Sequence, residues 1–506
     1  MLFNSYIFIL FFLPITLIFY FLFNHLGKDR IAKAYLLGMS LWFYGYFNPS
    51  YLAIICVSIC VNYCFSKKMA KAKANLRKCL LVLGIVFNVG LIFYFKYYDF
   101  FISNINTAFG TDFVLKNIML PLGISFFTFQ QISFIVDSYK GETKDYSFLE
   151  YALFVAFFPQ LVAGPIVLHS ELIPQFKDKN RLKPDYDNLS KGLMMFTRGL
   201  SKKILIADTF GNAVDYGFSR AALYVTGENA LSPREIMIVM LAYTFQIYFD
   251  FSGYSDMATG IGAMFNLKIP MNFNSPYKAL SVADFWKRWH MTLTRFLTTY
   301  IYIPLGGNRK GKLRTYINIM IVFLVSGLWH GANWTFILWG IIHGLGQCFN
   351  KLTHSIYLRI YNGLERMRLG KAWTTILKVV QWGVTFIFIN VTWLLFRADS
   401  VKQFTDLLKR LFVPYYYVGT EVLEYFRIPK IRYVFNLIGV EMTDMQTLVF
   451  STFVIMAAAL GLVLWAPNNY ECKYKKNVSN LIVTALLLVI CIVSMGKVSA
   501  FLYFNF

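Results

Sequence analysis

The tightest constraint on this chain is a pair of long apolar runs that meet at a histidine. Residues 315–328 are almost wholly apolar, and 334–348 resume the pattern after Gly327-Leu328-Trp329-His330-Gly331-Ala332-Asn333-Trp334. Arg309, Lys310, Lys312 and Arg314 stand before the pair, and Lys351, Arg359 and Arg366 follow it. Basic residues gather at the cytoplasmic ends of membrane spans, so the pattern predicts a helical hairpin in a bilayer with His330 near its deep turn. At 1.5 Å of rise per residue, the stretch from Arg314 carries His330 about 24 Å into a hydrocarbon core about 30 Å thick. An ionisable side chain at that depth is costly unless it faces protein or water, which makes a functional site the default expectation.

Of the 506 residues, 57% are hydrophobic and 15% charged, whereas a soluble domain has roughly 25% charged. The chain therefore reads as an all-α polytopic membrane protein. A formal net charge of +23 raises nucleic acid as a partner. The basic residues lie in short turns between apolar runs, however, and no basic domain stands apart, so nucleic acid is set aside and membrane lipid is the expected surrounding. The seven cysteines show no metal-ligand spacing, and no metal site is expected. Cys56, Cys60 and Cys64 share one helical face and read as small packing residues. The N-terminal stretch has no basic leader or small-residue cleavage site, so 6–23 reads as a retained span.

Residues 34–46, 51–65, 80–95, 118–136, 236–251, 373–396, 447–465 and 481–494 read as further crossings. The densest basic run, 67–78, is assigned to the cytoplasm, which puts the N-terminus outside. Pro159, Gly164 and Pro165 within 148–167 predict a broken, re-entrant segment that protein must cover. Residues 283–303 set Trp286, Trp289, Leu293, Phe296, Leu297 and Tyr300 on one stripe, predicting an amphipathic helix at the cytoplasmic interface. Gly253, Gly260 and Gly262 suit close helix packing. Lys473, Lys475 and Lys476 fit a cytoplasmic loop, and the mixed charges of 397–444 predict interfacial helices on the outer side. One membrane domain results: N-terminal spans (1–110), a core with the histidines (111–350), and C-terminal spans with an interfacial segment (351–506).

Six histidines are present. His25 and His354 lie in basic loops, His169 follows the Gly164-Pro165 break, and His343 reads as a packed helix residue. His290 and His330 remain as candidates for chemistry, each beside a tryptophan, Trp289 or Trp329. Neutral imidazole suits removal of a hydroxyl proton during acyl transfer. Gly327 and Gly331 allow close approach, and the Asn333 carboxamide is placed to orient an imidazole. No Gly-x-Ser-x-Gly supports a serine nucleophile. Asp250, Asp256 and Asp284 are expected to hold structural hydrogen bonds.

Several stretches carry a family resemblance. They are Leu120-Pro121-Leu122-Gly123 through Gln130, and Phe157-Phe158-Pro159-Gln160 through Gly164-Pro165-Ile166. Further on come Tyr248-Phe249-Asp250-Phe251-Ser252-Gly253-Tyr254-Ser255-Asp256, Asn272-Phe273-Asn274-Ser275-Pro276-Tyr277 and Asp284-Phe285-Trp286-Lys287-Arg288-Trp289-His290. With Leu328-Trp329-His330-Gly331 and the terminal Phe501-Leu502-Tyr503-Phe504-Asn505-Phe506, the chain resembles the membrane-bound O-acyltransferase family, in its branch of bacterial alginate O-acetyltransferases. Relatives often carry Arg shortly after Gly-Pro-Ile; here Val167, Leu168 and His169 follow.

The resemblance implies a helical bundle with re-entrant segments around a transmembrane tunnel, in the cytoplasmic membrane. The family's catalytic histidine falls on His330 and its second polar position on His290. Trp329, Asn333, Trp289, Asp256, Gln130 and Arg288 become candidates for lining the substrate path, and Arg288, Arg309 and Lys310 for attracting an anionic donor. That donor would be acetyl-coenzyme A or another acyl thioester, with no permanently bound cofactor. An extracytoplasmic polysaccharide would receive the group, directly or through a partner acetyltransferase of the SGNH type. The alternatives are an acyl-passing channel or transporter subunit without chemistry of its own, and a scaffold for a glycan synthase.

Overall fold

A backbone in hydrocarbon must satisfy its own N–H and C=O groups, and the α-helix does so within one segment. Every regular element among the described residues is helical. The computed structural model describes all residues except 144, 224–229, 368, 414–418, 470, 473, 497–498 and 503–506. Lys473 of the expected loop and the 503–506 end of the terminal motif therefore lie outside the described residues. Seven of the described helices are long and apolar enough to cross a membrane.

Pro233–Met264 is the axis of the bundle: 78% of its apolar window is buried, against 22% for the peripheral Ala74–Phe109. Helix Tyr186–Ser201 runs antiparallel along this axis at contact distance, because glycines face glycines. A Cβ on Gly253 would stand 2.8 Å from the Gly199 carbonyl oxygen, and one on Gly260 2.6 Å from that of Gly192. Small residues thus admit backbone-to-backbone packing, as Gly253 and Gly260 led us to expect.

The central hairpin consists of Lys312–His330, a turn at 331–333, and Trp334–Glu365. Its arms also touch through glycine. A Cβ on Gly327 would lie 2.4 Å from the Phe336 carbonyl oxygen, and one on Gly340 2.4 Å from that of Phe323. The 148–167 segment is broken as anticipated, into Phe148–Ala156 and Phe158–Leu161 followed by non-helical chain, and protein buries it. Between 397 and 444 the helices are short: Val401–Arg410, Glu421–Glu424 and Ile431–Leu437.

Three expectations are corrected. Residues 283–303 do not form one interfacial helix. Val282–Arg288 ends, His290 adopts a left-handed conformation (φ 44°), and Met291–Leu297 starts in a new direction. Trp286, Trp289, Leu293, Phe296 and Leu297 are consequently buried in the protein. Cys56, Cys60 and Cys64 are exposed; their shared face points away from the bundle, where a bilayer would cover it. The span expected at 80–95 also continues, through a π-helical turn at Phe93–Tyr97, to Phe109.

Candidate active site

His330 is the last residue of its helix, and the chain leaves in an extended conformation at Gly331. A helix ending there strands its final carbonyls, which need outside donors when buried. The donors come from Lys96 and Tyr97. Lys96 Nζ donates to the carbonyls of Trp329 (2.7 Å) and His330 (3.0 Å), and the Tyr97 hydroxyl to that of Leu328. The buried imidazole stands among aromatic rings, with centroids 4.9 Å from Trp329, 5.1 Å from Trp339 and 5.1 Å from Phe396.

His290 is fully buried at the kink, and its ring is 5.8 Å from that of Trp329. Trp329 is thus a wall common to both histidines. Left-handed backbone at a non-glycine residue costs of order 1–3 kcal/mol and persists where surrounding structure enforces it. Here Asn272 is the enforcer. Its carbonyl accepts from Met291 N (2.9 Å), and its side-chain oxygen faces Thr292 N (3.1 Å), Thr292 Oγ1 (2.8 Å) and His290 Nδ1 (3.1 Å). Because a backbone N–H only donates, the Asn272 atom at that point is oxygen, and Nδ1 of His290 must carry its proton. In the neutral ring the lone pair then sits on Nε2.

The remaining sequence candidates divide. Trp329 belongs to the site; its ring stacks on Phe129 at 5.4 Å and its Nε1 donates to the Ser125 carbonyl (3.3 Å). Gln130 is buried one residue from that stack, and its side-chain oxygen has no hydrogen-bond partner among the described residues. Asn333 does not orient the imidazole. Its oxygen caps Thr335 N (3.1 Å) and its amide donates to the Asp399 carbonyl (2.9 Å). Trp289 is core, packed against Phe285, Phe273 and Trp393. Asp256 is engaged with Lys202 (2.6 Å), Asp250 with Lys203 (2.7 Å) and Asp284 with Arg288 (2.9 Å), so these carboxylates and Arg288 are held in ion pairs. Arg309 and Lys310 sit exposed in the turn before the hairpin.

His343 accepts from Trp286 Nε1 on Nδ1 (3.1 Å), which leaves Nε2–H to face Thr392 Oγ1 (3.1 Å); both nitrogens are engaged. His169 is tied to Asp137 (3.0 Å) and Tyr146 (3.1 Å). Asp137, Glu142 and His169 bring ligand-type atoms within 4.8 Å. Asp137 is already held there by Lys140 and Tyr300, so the cluster reads as a polar knot between segments.

Two cavities lie nearby, one beside His330 and the other beside His343. One of about 530 Å³ is lined by Phe336 and Phe396 together with Asn333, Gln246, Asp215 and Arg397. Phe396 contacts the His330 ring, so this polar chamber abuts the site. The other, about 1160 Å³, is a mainly apolar groove lined by Ile342, Val384 and Phe388, with Lys287 and Lys351 among its residues. Phe388 lies 5.3 Å from the His343 ring. Sequence reasoning missed Lys96, Asn272 and Trp339. Asn272 lay within a recognised motif, and Lys96 was a lone cation one residue beyond an assumed span end. The Trp339 indole N–H is buried and has no hydrogen-bond partner among the described residues.

Residues 113–397 match the family described as MBOAT, membrane-bound O-acyltransferase family. A peptidoglycan O-acetyltransferase of Helicobacter pylori is 40% identical, with 100% of this chain and 98% of the relative covered. A probable alginate O-acetylase AlgI of Pseudomonas aeruginosa is 36% identical over 81% of this chain and 75% of its own length. A teichoic acid D-alanyltransferase of Streptococcus thermophilus is 30% identical over 45% of this chain.

Proposed function

Because this chain belongs to the membrane-bound O-acyltransferase family and is a multi-pass membrane O-acyltransferase, we propose that it delivers acetyl groups to peptidoglycan on the outer side of the cytoplasmic membrane. Peptidoglycan is preferred over alginate because the match to a peptidoglycan O-acetyltransferase extends along both chains almost completely. The observation that carries the reading is the position of His330, between a polar chamber large enough for a sugar residue and a second buried histidine.

His330 acts as general base. It takes the proton from an acceptor hydroxyl as that oxygen attacks the thioester carbonyl; the C–O bond forms, the C–S bond breaks, and the proton passes to the leaving thiolate. His290, with its Nδ1–H held by Asn272, presents a lone pair and orients by accepting a hydrogen bond. Stabilising the oxyanion therefore falls to a donor, for which the Trp339 indole N–H is the candidate. The donor is acetyl-coenzyme A or a similar anionic thioester. It approaches through the groove bearing Lys287 and Lys351, because the neighbouring Arg288 is already paired. The acceptor hydroxyl belongs to the glycan itself or to a partner acetyltransferase of the SGNH type.

The test is base-labile acetate on the cell wall of cells that depend on this protein. Wild type should acetylate, whereas His330→Ala at equal membrane abundance should not. Full acetylation by His330→Ala would end the catalytic reading. Full activity in His330→Gln would favour a passive acyl channel.

A further inference from the structure

The apolar span Ala74–Phe109 carries a lysine within it, at Lys96 on the π-helical turn Phe93–Tyr97. A cation inside a membrane protein needs partners and is a functional residue by default. An ammonium has three N–H donors, and Lys96 has three recorded bonds: to the carbonyls of Trp329 (2.7 Å) and His330 (3.0 Å) and to Ser125 Oγ (3.4 Å). None of these acceptors is a carboxylate, so the contact is not an ion pair. The adjacent Tyr97 hydroxyl donates to the Leu328 carbonyl. Two successive side chains thus reach three successive carbonyls at the end of the His330 helix. A π-turn, which inserts an extra residue into the helix, lies just where this reach is needed, and such turns are common at functional sites.

The two partners of Lys96 have separate consequences. Its bonds to Trp329 and His330 fix the last turn, and with it the direction in which the imidazole leaves the backbone. Its contact with Ser125 joins that turn to the helix Ile124–Lys140, whose Ser125 carbonyl also receives the Trp329 indole N–H (3.3 Å). The aromatic wall shared by the two histidines is therefore held from the same point. A cation at this end also opposes the negative pole of the helix dipole.

We propose that Lys96 is a positioning residue for His330, acting through the carbonyls of the last helical turn and without touching substrate. The proposal rests on His330 being the base. Displacing a reacting group by about 1 Å can cost 100-fold in rate, and an effect near that size is expected from removing the clamp.

The experiment supplies permeabilised cells with radiolabelled acetyl-coenzyme A and reads base-labile label in the wall, for variants matched in membrane abundance. Lys96→Met should lower the maximal rate by about 30- to 100-fold while KM for the donor stays within about twofold. Lys96→Arg, which retains the cation and its donors, should recover to within about threefold, and Tyr97→Phe should lose only a few-fold. In parallel, amide hydrogen exchange on the purified proteins should quicken over 328–334 in Lys96→Met alone among these.

An unchanged rate with unchanged exchange in Lys96→Met would overturn the proposal. A raised KM at full maximal rate would do so too, since it would mark a donor-binding residue. Should Lys96→Met and the milder Lys96→Gln both fail to accumulate in the membrane, Lys96 is a folding residue and the proposal falls. If wild type itself incorporates no label, the acetyl-donor reading fails instead, and the exchange measurement still decides for or against the clamp.

Discussion

His290 and His330 share the Trp329 ring as a wall, yet the chain holds them by opposite means. His290 is held through its side chain: a strained left-handed backbone turns it inward, and Asn272 engages Nδ1. His330 is held through its main chain, by Lys96 and Tyr97 on the carbonyls of its helical turn, while aromatic rings surround its imidazole. A ring with one nitrogen committed is suited to orienting a substrate. A ring fixed from its backbone is suited to exchanging a proton, because the clamp does not depend on the protonation state of the imidazole.

The largest effect should fall on the proposed proton-exchanging partner. General bases contribute about 10²–10⁴-fold, so His330→Ala should cut the maximal transfer rate by roughly 10³-fold, read as base-labile wall acetate per unit of membrane protein. His290→Ala should lose less. Equal losses would mean that the two rings act as one unit; a larger loss at His290 would reverse the assignment. Next comes the holder of His290. Asn272→Leu removes the acceptor for Nδ1 and for Thr292, and a misplaced group can cost up to about 100-fold. Lys96→Met acts on the His330 turn and reaches His290 only through the shared Trp329 wall, so in paired measurements the two holders should have nearly additive effects. Strong non-additivity would dissolve the distinction between two independent clamps.

The hairpin around His330 was legible in the sequence because its signals are local: two apolar runs, basic flanks, and glycines at the turn. The kink at His290 was not. Periodicity at 283–303 fits a straight amphipathic helix equally well, and a left-handed residue other than glycine leaves no compositional mark. Nor were the holders legible. Lys96 reaches its carbonyls across 234 residues of sequence and Asn272 reaches His290 across 18, and only the folded chain brings them together. The carboxylates show the reverse. Asp250, Asp256 and Asp284 were expected to hold structural hydrogen bonds, with Asp256 also a candidate for the substrate path, and each has a basic partner.

A smaller effect should separate the chemistry from its surroundings. Loss of one oxyanion donor costs about 10²–10³-fold in enzymes that depend on it, whereas an indole that serves only as packing loses little on conversion to another ring. Trp339→Phe should reduce the maximal rate at least tenfold by the first account, with donor KM little changed; a rate within twofold would leave Trp339 as wall alone. On the donor side, Lys287→Glu combined with Lys351→Glu should raise the donor KM several-fold and leave the maximal rate intact. That response should weaken at high salt, as exposed charge interactions do. A fall in maximal rate instead would move the donor path away from this groove.

The smallest effect is expected at Asn333, although it lies three residues from His330 and lines the polar chamber. Its side-chain oxygen starts the helix Trp334–Glu365 by accepting from Thr335 N, and its amide is bound to the Asp399 carbonyl. Serine is as good an N-cap as asparagine, while alanine costs about 1 kcal/mol. Asn333→Ser should therefore keep transfer within about twofold, and Asn333→Ala should lower thermal stability in detergent by an amount consistent with a lost cap. Should Asn333→Ser instead lose transfer as heavily as Asn272→Leu with stability unchanged, Asn333 would belong to the chemistry, and the contrast between side-chain and main-chain holding would need a third member.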